Sequence, residues 1–193
     1  MSFRRLALFT LAAIAIAGPA AYAATSLSTA GGRYTINPAG SSIRFSIGKA
    51  GGGSLDGAFA RFTGNIRVDN ADADRSEVNI TIMPASVGTG QSRIDAFLRS
   101  DAVFDVANDP EIRFRSTSVR RTGETTATIT GNLTARGKTS PEKFQAELKS
   151  FAGGTIIFRV TGRVLRSRYG MDVGTPIYSN VVEFEMTLSG RRS

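Results

Sequence analysis

The chain has 193 residues, with 24 Lys and Arg against 16 Asp and Glu, no Cys, no His, no Trp and 41% hydrophobic content. Without imidazoles or thiols there is no Ser-His-Asp or Cys-His nucleophile pair, no imidazole- or thiolate-bound zinc, no iron–sulfur cluster, no haem on His or Cys and no structural disulfide. The length fits one domain, and the chain is too apolar to be disordered.

Arg4 and Arg5 precede an apolar run at 6–17, the breaker pair Gly18 and Pro19, and small residues at Ala21 and Ala23. This is the layout of a secretory signal peptide over residues 1–23, cut after about Ala23, and it predicts a mature protein in the periplasm or outside the cell. The run falls short of the roughly 20 apolar residues that a spanning helix needs. Cleavage leaves 22 basic against 16 acidic residues. Such a surplus favours anionic partners and transient contact with an anionic membrane surface. Nucleic acid is not expected, because no basic stretch is interleaved with aromatics.

Residues 24–32 are expected to form a flexible mature N-terminus. From there the chain reads as strands. Ile43, Phe45 and Ile47 alternate with Ser42, Arg44 and Ser46, and Phe62, Gly64, Ile66 and Val68 alternate with Thr63, Asn65 and Arg67. The same period of two recurs at Val78, Ile80 and Ile82, at Ile112 and Phe114, at Ile129, Gly131 and Leu133, and at Phe144, Ala146 and Leu148. It continues at Ile156, Phe158 and Val160, and at Val182, Phe184, Met186 and Leu188. Period two means one wet and one buried face. With a short piece at 34–36 this gives about eight or nine strands, the spacing of an antiparallel sandwich or barrel. Turn chemistry separates them at 69–74, 122–124, 136–141 and 153–154, and Gly51, Gly52 and Gly53 mark a mobile loop.

One stretch departs from that rhythm. Residues 92–107 carry Ile94, Phe97, Leu98 and Phe104 at three- and four-residue intervals, which predicts a short amphipathic helix capped by Ser92 with Asp95 three positions on. Such an insertion lies across one barrel end as a plug or lid. Gly64, Gly131 and Gly162 fall at inward positions, where glycine marks barrel bends or, alternatively, room for a ligand.

The sequence nominates no catalytic group. Glu183 and Glu185 share one strand face about 7 Å apart but lie opposite the apolar face, so they read as solvated. Asp69, Asp72 and Asp74 lack the turn glycine of a calcium loop and read as a hairpin turn. No glycine-rich phosphate loop follows a strand and opens a helix. What remains is a basic chain with Phe-rich inward faces and charged helix residues at one end, the layout of a site for an amphiphile.

Several runs together resemble the YceI-like family. They are Tyr34-Thr-Ile-Asn-Pro38 with Ile43-Arg-Phe45, Gly57-Ala-Phe59, Phe62-Thr-Gly64 and Ser86-Val-Gly-Thr-Gly90. Further on come Arg93-Ile-Asp-Ala-Phe-Leu-Arg-Ser100, Phe104-Asp105 with Pro110, Ile112-Arg-Phe-Arg-Ser-Thr117, Gly131-Asn-Leu-Thr134 and Arg166-Ser-Arg-Tyr-Gly170. The resemblance implies a lipocalin-like antiparallel β-barrel domain over 33–190, of about eight strands, with one short helix inserted mid-chain near a barrel end. It implies an apolar pocket for a polyisoprenoid or isoprenoid quinone, bound as ligand and not as cofactor, and it brings no catalytic residues. The chain departs from the family at Gly48-Lys49-Ala50, where a His is common, at Lys138-Thr-Ser-Pro141, and at Arg168, where an acidic residue is common.

The expected function is non-enzymatic carriage or storage of an amphiphilic isoprenoid lipid. Expected wall residues are Phe45, Phe62, Ile66, Ile80, Phe97, Leu98, Phe114, Ile129 and Phe158, and expected head-group residues are Arg93, Asp95 and Arg99. Alternatives are a lipocalin sequestering lipophilic compounds such as antibiotics, or a filled barrel acting at anionic membranes. Edge strands leave room for a homodimer.

Overall fold

The computed structural model describes residues 25–193, and the signal expected at 1–23 lies outside them. Eleven strand segments follow in order: β1 (Gly32–Ile36), β2 (Ser42–Lys49), β3 (Ser54–Phe59), β4 (Phe62–Val68), β5 (Glu77–Ile82), β6 (Val87–Gly88), β7 (Ile112–Arg121), β8 (Thr126–Ala135), β9 (Lys138–Ala152), β10 (Thr155–Leu165) and β11 (Tyr178–Arg192). One helix, α1 (Ser92–Arg99), stands between β6 and β7.

The eleven segments make eight barrel strands, because three strands are interrupted. β1 and β2 lie end to end along β11, and β3 with β4, then β5 with β6, continue the sheet beside them. β7, β8, β9, β10 and β11 follow, each antiparallel to its predecessor. Tyr34 opposite Arg192 closes the ring. The result is a closed, eight-stranded, lipocalin-like antiparallel barrel in which every strand pairs with its neighbours in the chain. Closure removes the edges that an open sheet would expose.

Two of the three interruptions, those between β1 and β2 and between β5 and β6, are chemically similar. Pro38 and Pro84 each open a single 3-10 turn, at Pro38–Gly40 and Pro84–Ser86, where the missing N–H would otherwise be a gap in the ladder. A serine hydroxyl repairs each gap. Ser41 accepts from the Ser189 N–H at 2.9 Å and donates to the Asn37 carbonyl at 2.7 Å. Ser86 accepts from the Arg61 N–H at 2.9 Å and donates to the Met83 carbonyl at 2.7 Å.

Alternation does place the apolar residues inside: Ile43, Phe45, Ile66, Ile80, Phe114, Ile129, Phe144, Phe158 and Leu188 are all buried, while Arg44, Arg113, Arg115 and Arg159 are exposed. Each such burial contributes about 1.5–3 kcal/mol. Inward glycines take the rings. Gly57 stands opposite Phe45 and Gly162 opposite Phe144, and Gly131 lies diagonally beside Phe114. A Cβ at any of the three would overlap the ring. The rings therefore lie down against the wall.

Three expectations are corrected. The turn placed at 136–141 is only Arg136-Gly137, both at positive φ, and Pro141 sits inside β9. Proline is accepted there because β10 pairs with β9 only from Phe144 onward, so that margin of Pro141 needs no donor. The helix ends at Arg99 rather than 107, since the Ser100 hydroxyl takes the Phe97 carbonyl at 2.7 Å and tight turns follow. Asp105 in the left-handed region continues those turns. Finally, the stretch expected to be flexible at 24–32 is tied down from Leu27, whose N–H donates to the Glu124 carbonyl at 2.9 Å. Leu27 and Ala30 are buried, and the Tyr34 hydroxyl donates to the Ala30 carbonyl at 2.8 Å.

The ring-on-glycine arrangement is testable. Gly162→Ala should cost about 1–3 kcal/mol in urea unfolding through overpacking against Phe144. In the double variant with Phe144→Leu most of that loss should return, so that the two changes are strongly non-additive.

Candidate functional site

A cavity of about 720 Å³ runs along the barrel axis. Its length follows from the two ends. At one end, the floor, lie the segment 25–31 and the turns at 69–76 and 122–125; at the other, the lid, lie α1, the turn Arg136-Gly137 and the loop 166–177. The middle is walled by Phe45, Ile66, Ile80, Phe114, Ile129, Phe144, Phe158 and Met186. Polar residues border it only at the ends, Arg67, Asp69, Asp72 and Arg121 at the floor and Arg93, Arg166, Tyr169 and Tyr178 at the lid. The barrel interior is therefore open along its axis and not filled by side chains.

Most residues singled out in the sequence border this space: Phe45, Ile66, Ile80, Phe97, Leu98, Phe114, Ile129 and Phe158, with Arg93 at the mouth. Phe62, Asp95 and Arg99 do not. Phe62 points inward but is packed in the core opposite Ile82, since alternation gives a residue's face and not its depth beside the axis. Asp95 turns back from the helix to accept from the Thr89 N–H and hydroxyl, both at 2.7 Å. It thus closes the start of α1 in place of the expected Ser92, and Gln91 precedes the helix without a side-chain cap. Those Thr89 bonds hold the Asp95 carboxyl below the ordinary Asp range. Arg99 lies in the last turn of α1, outside the cavity lining.

Several lining residues escaped the sequence reading. Phe59 and Phe104 meet edge-on at 5.7 Å beneath the helix, and Phe45 stacks tilted on Phe59 at 5.5 Å. Phe144 packs edge-on against Phe114 at 5.1 Å. The alternation of Phe144 with Ala146 and Leu148 was a sufficient signal for it. Arg166 opens one of the family-like runs but has no periodic signal, because it sits in the 3-10 turn Arg166–Tyr169.

Arg166 is 7% exposed and donates only to backbone carbonyls: Ser179 at 2.8 Å, Val173 at 2.8 Å, Tyr178 at 3.1 Å, and Met171. It holds the whole loop between β10 and β11 over the cavity mouth. Burial pulls the guanidinium below its ordinary value, and Asp172 partly offsets this. Beside it Tyr169, fully buried, donates to Glu142 at 2.9 Å, and Arg168 reaches the same carboxylate at 3.3 Å. Burial first and Glu142 second raise the Tyr169 phenol well above its usual range. Arg136 links the two halves of the lid, donating to the Gly170 and Asp101 carbonyls at 2.8 Å each.

The carboxylates weighed for chemistry lie elsewhere. Glu183 and Glu185 are exposed on the outer wall in ion pairs with Arg163 and Arg159, both at 2.9 Å. Asp69 accepts from the N–H groups of Ala71 and Asp72, and Asp72 from that of Asp74, so the acidic run is a pair of side-chain-capped turns.

The YceI-like domain model matches residues 34–190. This chain belongs to the YceI-like family. A UPF0312 protein of Serratia proteamaculans is 31% identical over 156 residues, covering 78% of this chain and 81% of that protein. One from Pseudomonas putida (strain GB-1) is 34% identical over 153 residues, 77% of this chain and 79% of its own length. Among solved structures, BcnA of Burkholderia cenocepacia superposes with a TM-score of 0.75 at 23% identity, over 80% of this chain and 98% of that one. A polyisoprenoid binding domain from Saccharophagus degradans, implicated in plant cell wall breakdown, gives 0.69 at 16% identity, over 83% and 98%. These neighbours share the YceI-like barrel. At the family positions where this chain departs, Lys49 lies 6.0 Å from the Tyr178 ring centroid and Arg168 pairs with Glu142.

Two outcomes test the lid. Arg166→Met should leave four carbonyls without their donor, lower stability by about 3 kcal/mol or more, and speed amide exchange across residues 171–179. Because the folded Asp95 pKa lies below its unfolded value near 3.8, its contribution is present above that value and lost as pH falls through the folded one. The stability gap between the parent protein and Asp95→Ala, read by thermal melts, should therefore narrow on acidification.

Proposed function

We propose that this YceI-like protein is a non-enzymatic carrier or store for an amphiphilic isoprenoid lipid, a polyisoprenoid or an isoprenoid quinone, acting in the periplasm or outside the cell. The observation that carries the reading is the cavity, about 720 Å³ of space walled by apolar side chains along its length and polar only at its ends. That volume falls within the roughly 300–1,000 Å³ of small-molecule sites, and a few polar groups at one end suit a head while the walls suit a chain.

Burial alone supplies affinity. At about 0.8 kcal/mol per buried methylene, a ten-carbon stretch of tail yields about 8 kcal/mol before ordering costs, which corresponds to a micromolar dissociation constant. Membership of the YceI-like family and the shared barrel of the Saccharophagus degradans polyisoprenoid binding domain support an isoprenoid rather than another lipophile.

Native mass spectrometry of the exported protein, followed by solvent extraction, should detect a stoichiometric isoprenoid. A clean protein mass, with no lipid in the extract and no uptake of added quinone, would overturn the reading. Ala146 lines the cavity with the smallest of inward side chains, so Ala146→Phe should fill space and displace the lipid while circular dichroism stays unchanged. Phe114→Asp should abolish binding by placing an unpaired carboxylate on the wall.

A further inference from the structure

Among the described residues three large hydrophobic side chains are strongly exposed: Phe97 at 48%, Val173 at 43% and Ile177 at 62%. Single exposed hydrophobics are ordinary, but these three gather at the lid end. Phe97 projects from α1, and Val173 and Ile177 lie on the loop that Arg166 holds. The Ile177 carbonyl accepts from the Ala50 N–H at 2.8 Å, which sets it beside the β2–β3 hairpin tip. Phe97 and Val173 also border the cavity, so the exposed apolar rim is continuous with the apolar wall.

The charges around the rim bear on what covers it. Lys49, Arg93 and Arg99 stand there without an ion pair among the described residues, although Asp56 lies near Lys49 and Asp95 near Arg99, and Asp101 and Asp172 are further acids at that end. The opposite end exposes polar and charged residues, Asp72, Asp74, Arg75 and Glu124 together with Arg33, Arg121, Arg191 and Arg192, so what sets the lid apart is its large exposed apolar side chains. The described part of the chain carries six more basic than acidic residues. An apolar centre flanked by unpaired cations on a basic protein matches the interface of a bilayer, where apolar groups enter the acyl boundary and cations meet phosphates.

We propose that the lid end docks on an anionic lipid bilayer, with Phe97, Val173 and Ile177 entering the interface. The inference rests on the carrier reading for its purpose: an apolar cargo then moves between membrane and cavity along a continuous apolar surface without crossing water.

The chain contains no Trp, so an introduced one reports without background. Ile177→Trp should shift its emission to the blue on adding phosphatidylethanolamine–phosphatidylglycerol vesicles. Ala71→Trp, in the floor turn, should not shift. The triple variant Phe97→Ser, Val173→Ser, Ile177→Ser should keep its circular dichroism and lose about tenfold or more in vesicle co-sedimentation. Binding should weaken but persist at about 1 M salt, where charges are screened beyond about 3 Å.

An unchanged Ile177→Trp spectrum, or equal shifts at both ends, would overturn the proposal. So would a blue shift that grows with protein concentration in the absence of vesicles, which would identify a second copy as the occupant. Extractable lipid in a protein that ignores vesicles would remove the docking surface and leave the carrier. Vesicle docking by a protein with no cargo and no uptake would do the reverse.

Discussion

Closing eight strands into a barrel leaves an interior that side chains can only just fill, so where the aromatic rings go decides whether the barrel has a cavity. Phe45, Phe114 and Phe144 would together occupy much of the axis if they stood upright. Each instead lies over a glycine of the next strand, at Gly57, Gly131 and Gly162. The glycine forgoes a side chain of its own, and the ring takes the space its Cβ would need. Wall and lumen are therefore linked through three pairs, and enlarging any of these glycines pushes a ring toward the axis.

The two ends are built differently. At the floor, Leu27, Ala30 and Tyr34 fold under the barrel, and Arg192 donates to the Gly31 carbonyl at 2.7 Å and to the Tyr34 hydroxyl at 3.1 Å. First and last strands are thus joined where the sheet closes, and loosening this end would open the barrel itself. At the lid, the cover is a helix and a loop held by individual side chains, Asp95, Arg136 and Arg166, without a strand pairing of their own. Local opening draws on such segments, where few backbone bonds must break together.

Alternation made the barrel legible, because inward and outward residues differ sharply in every long strand from β7 to β11. The broken strands were less visible. Asn37-Pro38-Ala39-Gly40 and Met83-Pro84-Ala85-Ser86 read as strand ends, and only the serine hydroxyls bridging them make each break part of one continuous strand. Site residues were readable where period two applies, at Phe45, Ile80, Phe114 and Ile129. The sequence is ambiguous where a charged residue on a short helix can serve either the site or the fold: Asp95 reads as a head-group residue and binds Thr89 instead. Arg166 lay hidden for a related reason, since its role depends on carbonyls contributed by residues up to 13 positions away.

The lid also explains how a buried cation is tolerated next to an apolar space. Arg166 faces no carboxylate at ion-pair distance among the described residues, and its charge is met by four carbonyl dipoles of the loop it holds. Loss of those bonds would leave the guanidinium without partners in a low-dielectric setting, so the loop and the cation stabilise each other. Arg136 extends that dependence to the Asp101 carbonyl after α1, which makes the helix and the loop one cover. A movement that uncovers the cavity must then either shift both together or exchange the Arg136 bonds for water. The second route is the easier one, because the bond from Arg136 to Asp101 already faces solvent while those of Arg166 are sheltered.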